Sequence, residues 1–407
     1  MNILFILYHG MTCNSAQHVI SLAKGLHERG DSCVVAVPDA MVDAKQVGEA
    51  ALTAAYALRE ISYCQLASKG AFFDDQAGPD VIVAWTPREN VRVAAEAALR
   101  RWNVPLVVHL EDNEDAITAS YLGVALNKLQ HLSFWQLRAI RGLALSHPRR
   151  MRALLARSRG ISMVIDRLGE FCPKDLPKTV FWPGYDEDLF DLEAQTERDD
   201  PRAILRRNSV PDDATAIVYT GNIHRGNVED MATLYDTVTT LNRQGLSVRL
   251  VRTGENHAAG FFERVVLSQP YVVELGVRPR AELPELLAGA DVLVQPGMPG
   301  VFNDYRFPSK LPEFLVSGRP VVMARTNIGR ELTDGTNARI VPNGTVAEFV
   351  EAIVQLRENP ELARNLGKGG RDFARRHLRW HAAVESFRGL LEEVSQIPCT
   401  KKIRSHA

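Results

Sequence analysis

Short apolar runs, each followed by a polar turn and then an amphipathic stretch, recur in two blocks along this chain of 407 residues. Runs that read as apolar throughout fit strands covered by helices on both faces, which predicts an α/β protein with parallel, doubly wound sheets. The first block has strands at 2–8, 33–37, 81–84, 106–109 and 179–182, with a helix over 15–29 whose apolar stripe is Val19, Ile20, Leu22, Ala23 and Leu26 and whose stop is Gly30. The second restarts at 216–219, runs through Thr220-Gly221-Asn222 into a helix over 228–244, and continues with strands at 248–252, 271–275, 291–295 and 320–324. Two Rossmann-like domains follow, in line with a length that exceeds one ordinary core.

The polar, charged stretch at 192–202 reads as a surface linker between them. The predicted organisation is an N-terminal domain over 1–191, a C-terminal domain over 202–375, a long helix over about 371–393 whose 376–395 portion packs back toward the first domain, and a disordered basic tail over 396–407. Ligands of such sheets bind beyond the C-terminal strand ends, so facing sheets predict an interdomain cleft. Side chains on those loops are Asn14, Ser15 and His18, then Thr86, Arg88 and Glu89, then His109, Glu111 and Asp112. The second block adds Gly221, Asn222, His224, Arg225, Gly254, Glu255 and the segment 296–313.

A net charge of -1 gives no basis for a nucleic-acid partner. Cys13, Cys33, Cys64, Cys172 and Cys399 are odd in number and lack metal-ligand spacing, which predicts free thiols and no metal site. No run of about 18 apolar residues and no secretory leader is evident, so a cytoplasmic protein is the simple expectation.

Segment 307–322 is the most legible piece of the second block. Ser309 is expected to cap a helix, Pro312 to sit in its first turn, Gly318 to end it, and a strand to follow Pro320. A basic loop with Asn303, Asp304, Arg306 and Lys310 then enters a helix end suited to an anion, with Glu313 one turn in.

In ordered sequence, Thr220-Gly221-Asn222-Ile223-His224-Arg225-Gly226, Leu250 to Glu255, Leu275 to Pro296 and Pro308 to Val322 resemble the nucleotide-sugar-binding half of glycosyltransferase family 4, retaining enzymes of GT-B fold. Trp182-Pro183-Gly184-Tyr185-Asp186 with Phe190 is similar to the family's interdomain motif, and Trp380 to its closing helix. The resemblance implies a donor that is a UDP-, GDP- or dTDP-sugar, no further cofactor, and an acceptor hydroxyl on a glycan or lipid-linked glycan, as in polysaccharide biosynthesis. It implies Gly221, Asn222, Gly254, Asp304, Tyr305, Ser309, Leu311 and Glu313 around the nucleotide sugar, with Glu313 on the ribose. Acceptor contacts fall on Asn14, Ser15 and His18.

The family's two signature glutamates are eight positions apart, and only the second is present here; Tyr305 stands at the first, so Tyr305 or Asp304 would lie beside the sugar. Arg225 matches the arginine of the family's diphosphate-binding pair, and Lys310 is the candidate for its missing lysine. Breaking a sugar–phosphate bond puts negative charge on the departing diphosphate. Arg225, Lys310 and the helix end would stabilise it without a metal, with retention of anomeric configuration, a phosphate oxygen taking the proton and His109 touching the sugar.

Two further readings stay open for the whole chain: a nucleotide-sugar epimerase of similar architecture, and a non-catalytic nucleotide-sugar-binding partner subunit. The acidic group Glu111, Asp112, Glu114 and Asp115 reads as a solvated loop in preference to a metal or paired-carboxylate site. Segment 131–159 mixes Phe134, Trp135, Leu137, Ile140 and Leu145 with seven arginines; it reads either as helices packed into the first domain or as a peripheral contact with the inner face of a membrane.

Overall fold

The computed structural model describes residues 1–41, 58–67, 72–73, 77–193, 200–257 and 270–396. They form two units, Met1–Trp182 with the chain from Trp380 onward, and Pro183–Arg379.

In the first unit the strands are β1 (Asn2–Leu7), β2 (Ser32–Val37), β3 (Arg59–Ser62), β4 (Val81–Trp85), β5 (Leu106–Leu110), β6 (Gly160–Met163) and β7 (Lys178–Val180). They pair in parallel in the order β3-β2-β1-β4-β5-β6-β7. Every residue of β1, β4 and β5 is buried, which is why these strands read as continuous apolar runs. Helices α1 (Asn14–His27), α2 (Glu89–Arg101), α3 (Glu114–Leu122), α4 (Phe134–Gly142) and α5 (Pro148–Arg157) belong to this unit. Helix α1 buries Val19, Leu22, Ala23 and Leu26, the helical stripe expected of it. Phe5, Trp85, Phe181 and Phe387 meet in the core, Phe387 coming from the closing helix Trp380–Gln396. That helix lies so close to α1 that a Cβ on Gly25 would stand 2.5 Å from a methyl of Val384.

In the second unit α6 (Glu187–Glu193) and α7 (Ala203–Arg207) precede a sheet of β8 (Thr215–Thr220), β9 (Val248–Thr253), β10 (Val272–Glu274), β11 (Val292–Gln295), β12 (Val321–Ala324) and β13 (Arg339–Val341). Its order is β10-β9-β8-β11-β12-β13, again parallel. In both sheets the chain's direction of travel reverses beside the first strand, β1 with β4 and β8 with β11, and the strand ends there are the expected ligand positions.

Two expectations change. The units divide at Trp182 and Pro183, ahead of the polar stretch, because the intervening segment packs on the second unit. The Tyr185 N–H donates to the Leu378 carbonyl at 3.1 Å, the Tyr185 hydroxyl donates to Asp191 at 3.2 Å, and Arg379 pairs with Asp191 at 2.9 Å. The long helix expected over 371–393 is instead two helices, Pro360–His377 and Trp380–Gln396. Leu378 leaves helical backbone at φ -117 and ψ 44, and its carbonyl is given to Tyr185. The tail beyond Gln396 and residues 194–199 of the expected linker lie outside the described residues.

Candidate functional site

At the end of β8, Gly221 adopts φ +135, and Gly254 after β9 adopts φ +95. A Cβ on Gly254 would meet the Gly221 carbonyl carbon at 2.5 Å, so the two strand ends touch backbone to backbone. Asn222 braces them, its Oδ1 accepting the Glu255 N–H at 2.8 Å while its carbonyl accepts Asn227 Nδ2 at 3.0 Å.

Lys310 reaches the same loop from the segment before the helix Leu311–Val316. Its Nζ donates to the Tyr219 hydroxyl at 3.0 Å and lies 4.7 Å from the centre of that ring. A Cβ on Gly221 would stand 2.8 Å from Lys310 Cε, so the end of the lysine side chain lies directly against this glycine, whose φ of +135 a side chain would strain. Arg225 is exposed on this loop next to His224. The His224 residue is exposed overall, yet desolvation of its ring, then the charges of Arg306, Lys310 and His257, push its pKa down to about 4. It is therefore neutral at pH 7, and its Nδ1 accepts the Gly226 N–H at 3.1 Å. Lys310 thus reaches the strand end that leads into the loop carrying Arg225, and Arg306 is spent on buried Asp230 at 3.1 Å.

Glu313 is buried, and its Oε1 accepts from Arg280 Nη2 at 2.7 Å. Burial raises its pKa, with Arg280 and then Lys310 pulling the other way. Arg280 also lies 3.5 Å from Asp186, so one guanidinium bridges two carboxylates.

Several expected contacts are placed differently. The helix spans only Leu311–Val316 and is preceded by Lys310 already in helical backbone, so exposed Ser309 makes no cap bond and that helix end is too short to serve as an anion site. Leu311 is fully buried and its N–H is taken by the Pro308 carbonyl at 3.0 Å. Asp304 faces into the unit, accepting from Thr326 Oγ1 at 2.8 Å and Arg330 at 2.9 Å, and Tyr305 is buried beside it. Tyr219 and Arg280 were not legible as site residues: each acquires its place only through a partner far along the chain.

In the first unit, His109 is a core residue. It is fully buried, its Nδ1 lies 2.9 Å from Ser162 Oγ, and its ring centre is 3.9 Å from that of Trp85 and 5.0 Å from that of Phe181. Burial pushes its pKa to about 3, and the expected sugar contact is withdrawn. Glu111, two residues on, occupies the strand-end position. The Ser15 hydroxyl donates to its Oε2, and His18 Nδ1 lies 2.8 Å from its Oε1. Burial alone would raise this carboxyl, but His18 and Ser15 hold it at about 2. Asn14, also in the first turn of α1, is exposed. Arg88 covers the Tyr8 ring at 3.8 Å and lies 3.4 Å from Glu114.

The acidic loop is accordingly paired, not solvated. Glu111 is bound as above, buried Glu114 accepts from Ser146 at 2.7 Å, and Asp115 pairs with Arg152 at 2.7 Å. Among the described residues no three His, Cys, Asp or Glu side chains are arranged to hold a metal ion.

The family described as glycosyl transferases group 1 matches residues 214–359, the stretch that carries Gly221, Arg225, Gly254, Lys310 and Glu313. No curated protein sequence matches the chain. Among solved structures, HepE of Anabaena in complex with UDP-glucose is similar at 17% identity and a TM-score of 0.69, over 98% of this chain and 100% of that one. Sucrose-phosphate synthase from Thermosynechococcus elongatus is similar at 16% identity and a TM-score of 0.70, over 97% and 99%. WaaG, a glycosyltransferase involved in lipopolysaccharide biosynthesis, is similar at 14% identity and a TM-score of 0.62, over 97% and 98%. Two doubly wound parallel-sheet units and these neighbours give the fold as GT-B, and within it residues 214–359 match the family described as glycosyl transferases group 1.

Proposed function

We propose that this protein transfers a sugar, with retention of configuration, from a nucleoside diphosphate sugar to a hydroxyl of a glycan or lipid-linked glycan. The observation that carries the reading is the convergence of Lys310 and the Arg225 loop at the end of β8. Two cations set there meet the charge that develops on a departing diphosphate, and fixed donors of this kind are each worth about 10²–10³ in rate. Neutral His224 keeps the loop from carrying a third charge at pH 7. Glu313, steered by Arg280, offers carboxylate oxygens to the ribose hydroxyls. UDP-glucose binding by a similar protein supports a UDP-sugar as the first donor to test.

With Asp304 committed to Thr326 and Arg330, sugar hydroxyls would be met by the backbone and other polar groups of segment 297–306. In the first unit, Asn14, Ser15 and His18 would receive the acceptor, and Glu111 fixes the last two. The bond from anomeric carbon to diphosphate oxygen breaks, the acceptor oxygen bonds to that carbon on the same face, and its proton passes to a diphosphate oxygen. Incubation with UDP-, GDP- and dTDP-sugars and a glycan acceptor tests this, with the anomer read by proton NMR. A product of retained configuration is expected; an inverted product, or an epimerised sugar formed without acceptor, would overturn it.

A further inference from the structure

Helix α4 presents its aromatic residues outward. Phe134 is 70% and Trp135 73% exposed, whereas Ile140 on the opposite side is buried. At 100° per residue, Leu137, Arg141, Phe134, Arg138 and Trp135 occupy one continuous arc, and all five are exposed. The arrangement is not a frayed end. Ser133 and Gln136 form a reciprocal capping box, with bonds of 2.8 and 3.3 Å, that fixes the start of the helix. Nearby, Leu126 and Leu143 are exposed as well.

The surrounding charge is one-sided. Residues 116–165 contain no Asp or Glu and eight Lys or Arg. Arg150 and Arg152 are paired with Glu89 and Asp115, but Arg138 and Arg141, on the aromatic face itself, enter no ion pair among the described residues. Aromatic rings flanked by unpaired guanidinium groups suit an interface that is apolar at depth and anionic at its rim.

We infer that this face of α4 docks on an anionic phospholipid bilayer, with Phe134 and Trp135 entering the headgroup boundary and Arg138 and Arg141 meeting lipid phosphates. A second copy of the chain is disfavoured as occupant, because like arginines would face each other across a symmetric contact. Binding through this surface is measurable without any donor or acceptor, so its outcome is separate from that of the transfer assay.

The test is co-sedimentation of the full chain with vesicles of equimolar phosphatidylglycerol and phosphatidylcholine, and with vesicles of phosphatidylcholine alone. Binding to the anionic vesicles at low salt is expected, falling at least about tenfold at about 0.5 M salt as surface charges are screened. Phe134→Ser with Trp135→Ser, and separately Arg138→Glu with Arg141→Glu, should each weaken it about tenfold or more. Arg243→Glu, an exposed change in the other unit, should not. Unchanged thermal midpoints in the variants would show that they remain folded, as their exposure predicts. Absence of binding to anionic vesicles at low salt, or equal binding by the variants, would overturn the inference. So would lipid-free, concentration-dependent dimerisation abolished by the Phe134 and Trp135 changes, which would give the face to a second copy.

Discussion

Lys310 Nζ donates to the hydroxyl of Tyr219 at 3.0 Å and rests 4.7 Å from the centre of the same ring, so a residue before one helix is pinned to the last turn of a strand 91 positions away. This contact orients a cation without neutralising it, since a phenol is a neutral partner and a ring face attracts positive charge.

Lys310→Ala is expected to lower kcat by about 10²–10³, because a preorganised donor to the leaving group is removed. Tyr219→Phe keeps the ring face and loses one hydrogen bond, so its loss should stay within about tenfold. Steady-state kinetics of both variants on one donor makes the comparison. Equal losses would mean that Tyr219 itself acts on the substrate.

Gly254→Ala should disrupt nucleotide binding without touching any charged group. The residue sits at φ +95 against the Gly221 carbonyl carbon, and strain of this kind costs about 1–3 kcal/mol or forces the loops apart. A raised donor Kd with an unchanged acceptor Kd is the expected signature in calorimetric titration.

Much of this was readable in the sequence, for physical reasons that differ by element. Strands β1, β4, β5 and β8 are buried along their whole length, so they appear as apolar runs, and Gly30 and Gly318 mark helix ends through their positive φ. His109 misled because a strand-end histidine and a core histidine look alike until Trp85 and Phe181, from distant segments, close over the ring. Glu111 was hidden in an acidic run in which Glu111, Glu114 and Asp115 find three different partners. At the break the Leu378 carbonyl accepts the Tyr185 N–H, and nothing local in the helical pattern announces it.

His109 makes the first unit sensitive to acid. Its folded pKa of about 3 lies below the unfolded value near 6.5, so the unfolded chain binds the extra proton and stability is lost as pH falls through 6.5 toward 3. From pH 7 to 5 the loss attributable to this residue is about 2 kcal/mol. Glu111 adds nothing in that interval, because its stabilisation is lost only between its unfolded value near 4.5 and about 2. Denaturant unfolding at pH 7 and pH 5 should show a smaller drop for His109→Gln than for the wild type. An unchanged drop would remove His109 from the account.

His18→Ala should raise the KM for acceptor about tenfold or more while donor KM stays constant, since His18 is held by Glu111 in the unit assigned to the acceptor. Slow hydrolysis of donor without acceptor should persist. A raised donor KM would place His18 in the nucleotide-sugar site.

The central claim is that Arg225 and Lys310 receive the diphosphate of an activated sugar, and calorimetric titration of the wild type and the Arg225→Ala, Lys310→Ala double variant with UDP-, GDP- and dTDP-sugars addresses it directly. The account predicts that at least one donor binds the wild type and that its affinity falls about 100-fold or more in the double variant, with the fold intact by circular dichroism. Binding of equal strength by both proteins, or no binding of any donor by the wild type, would contradict it.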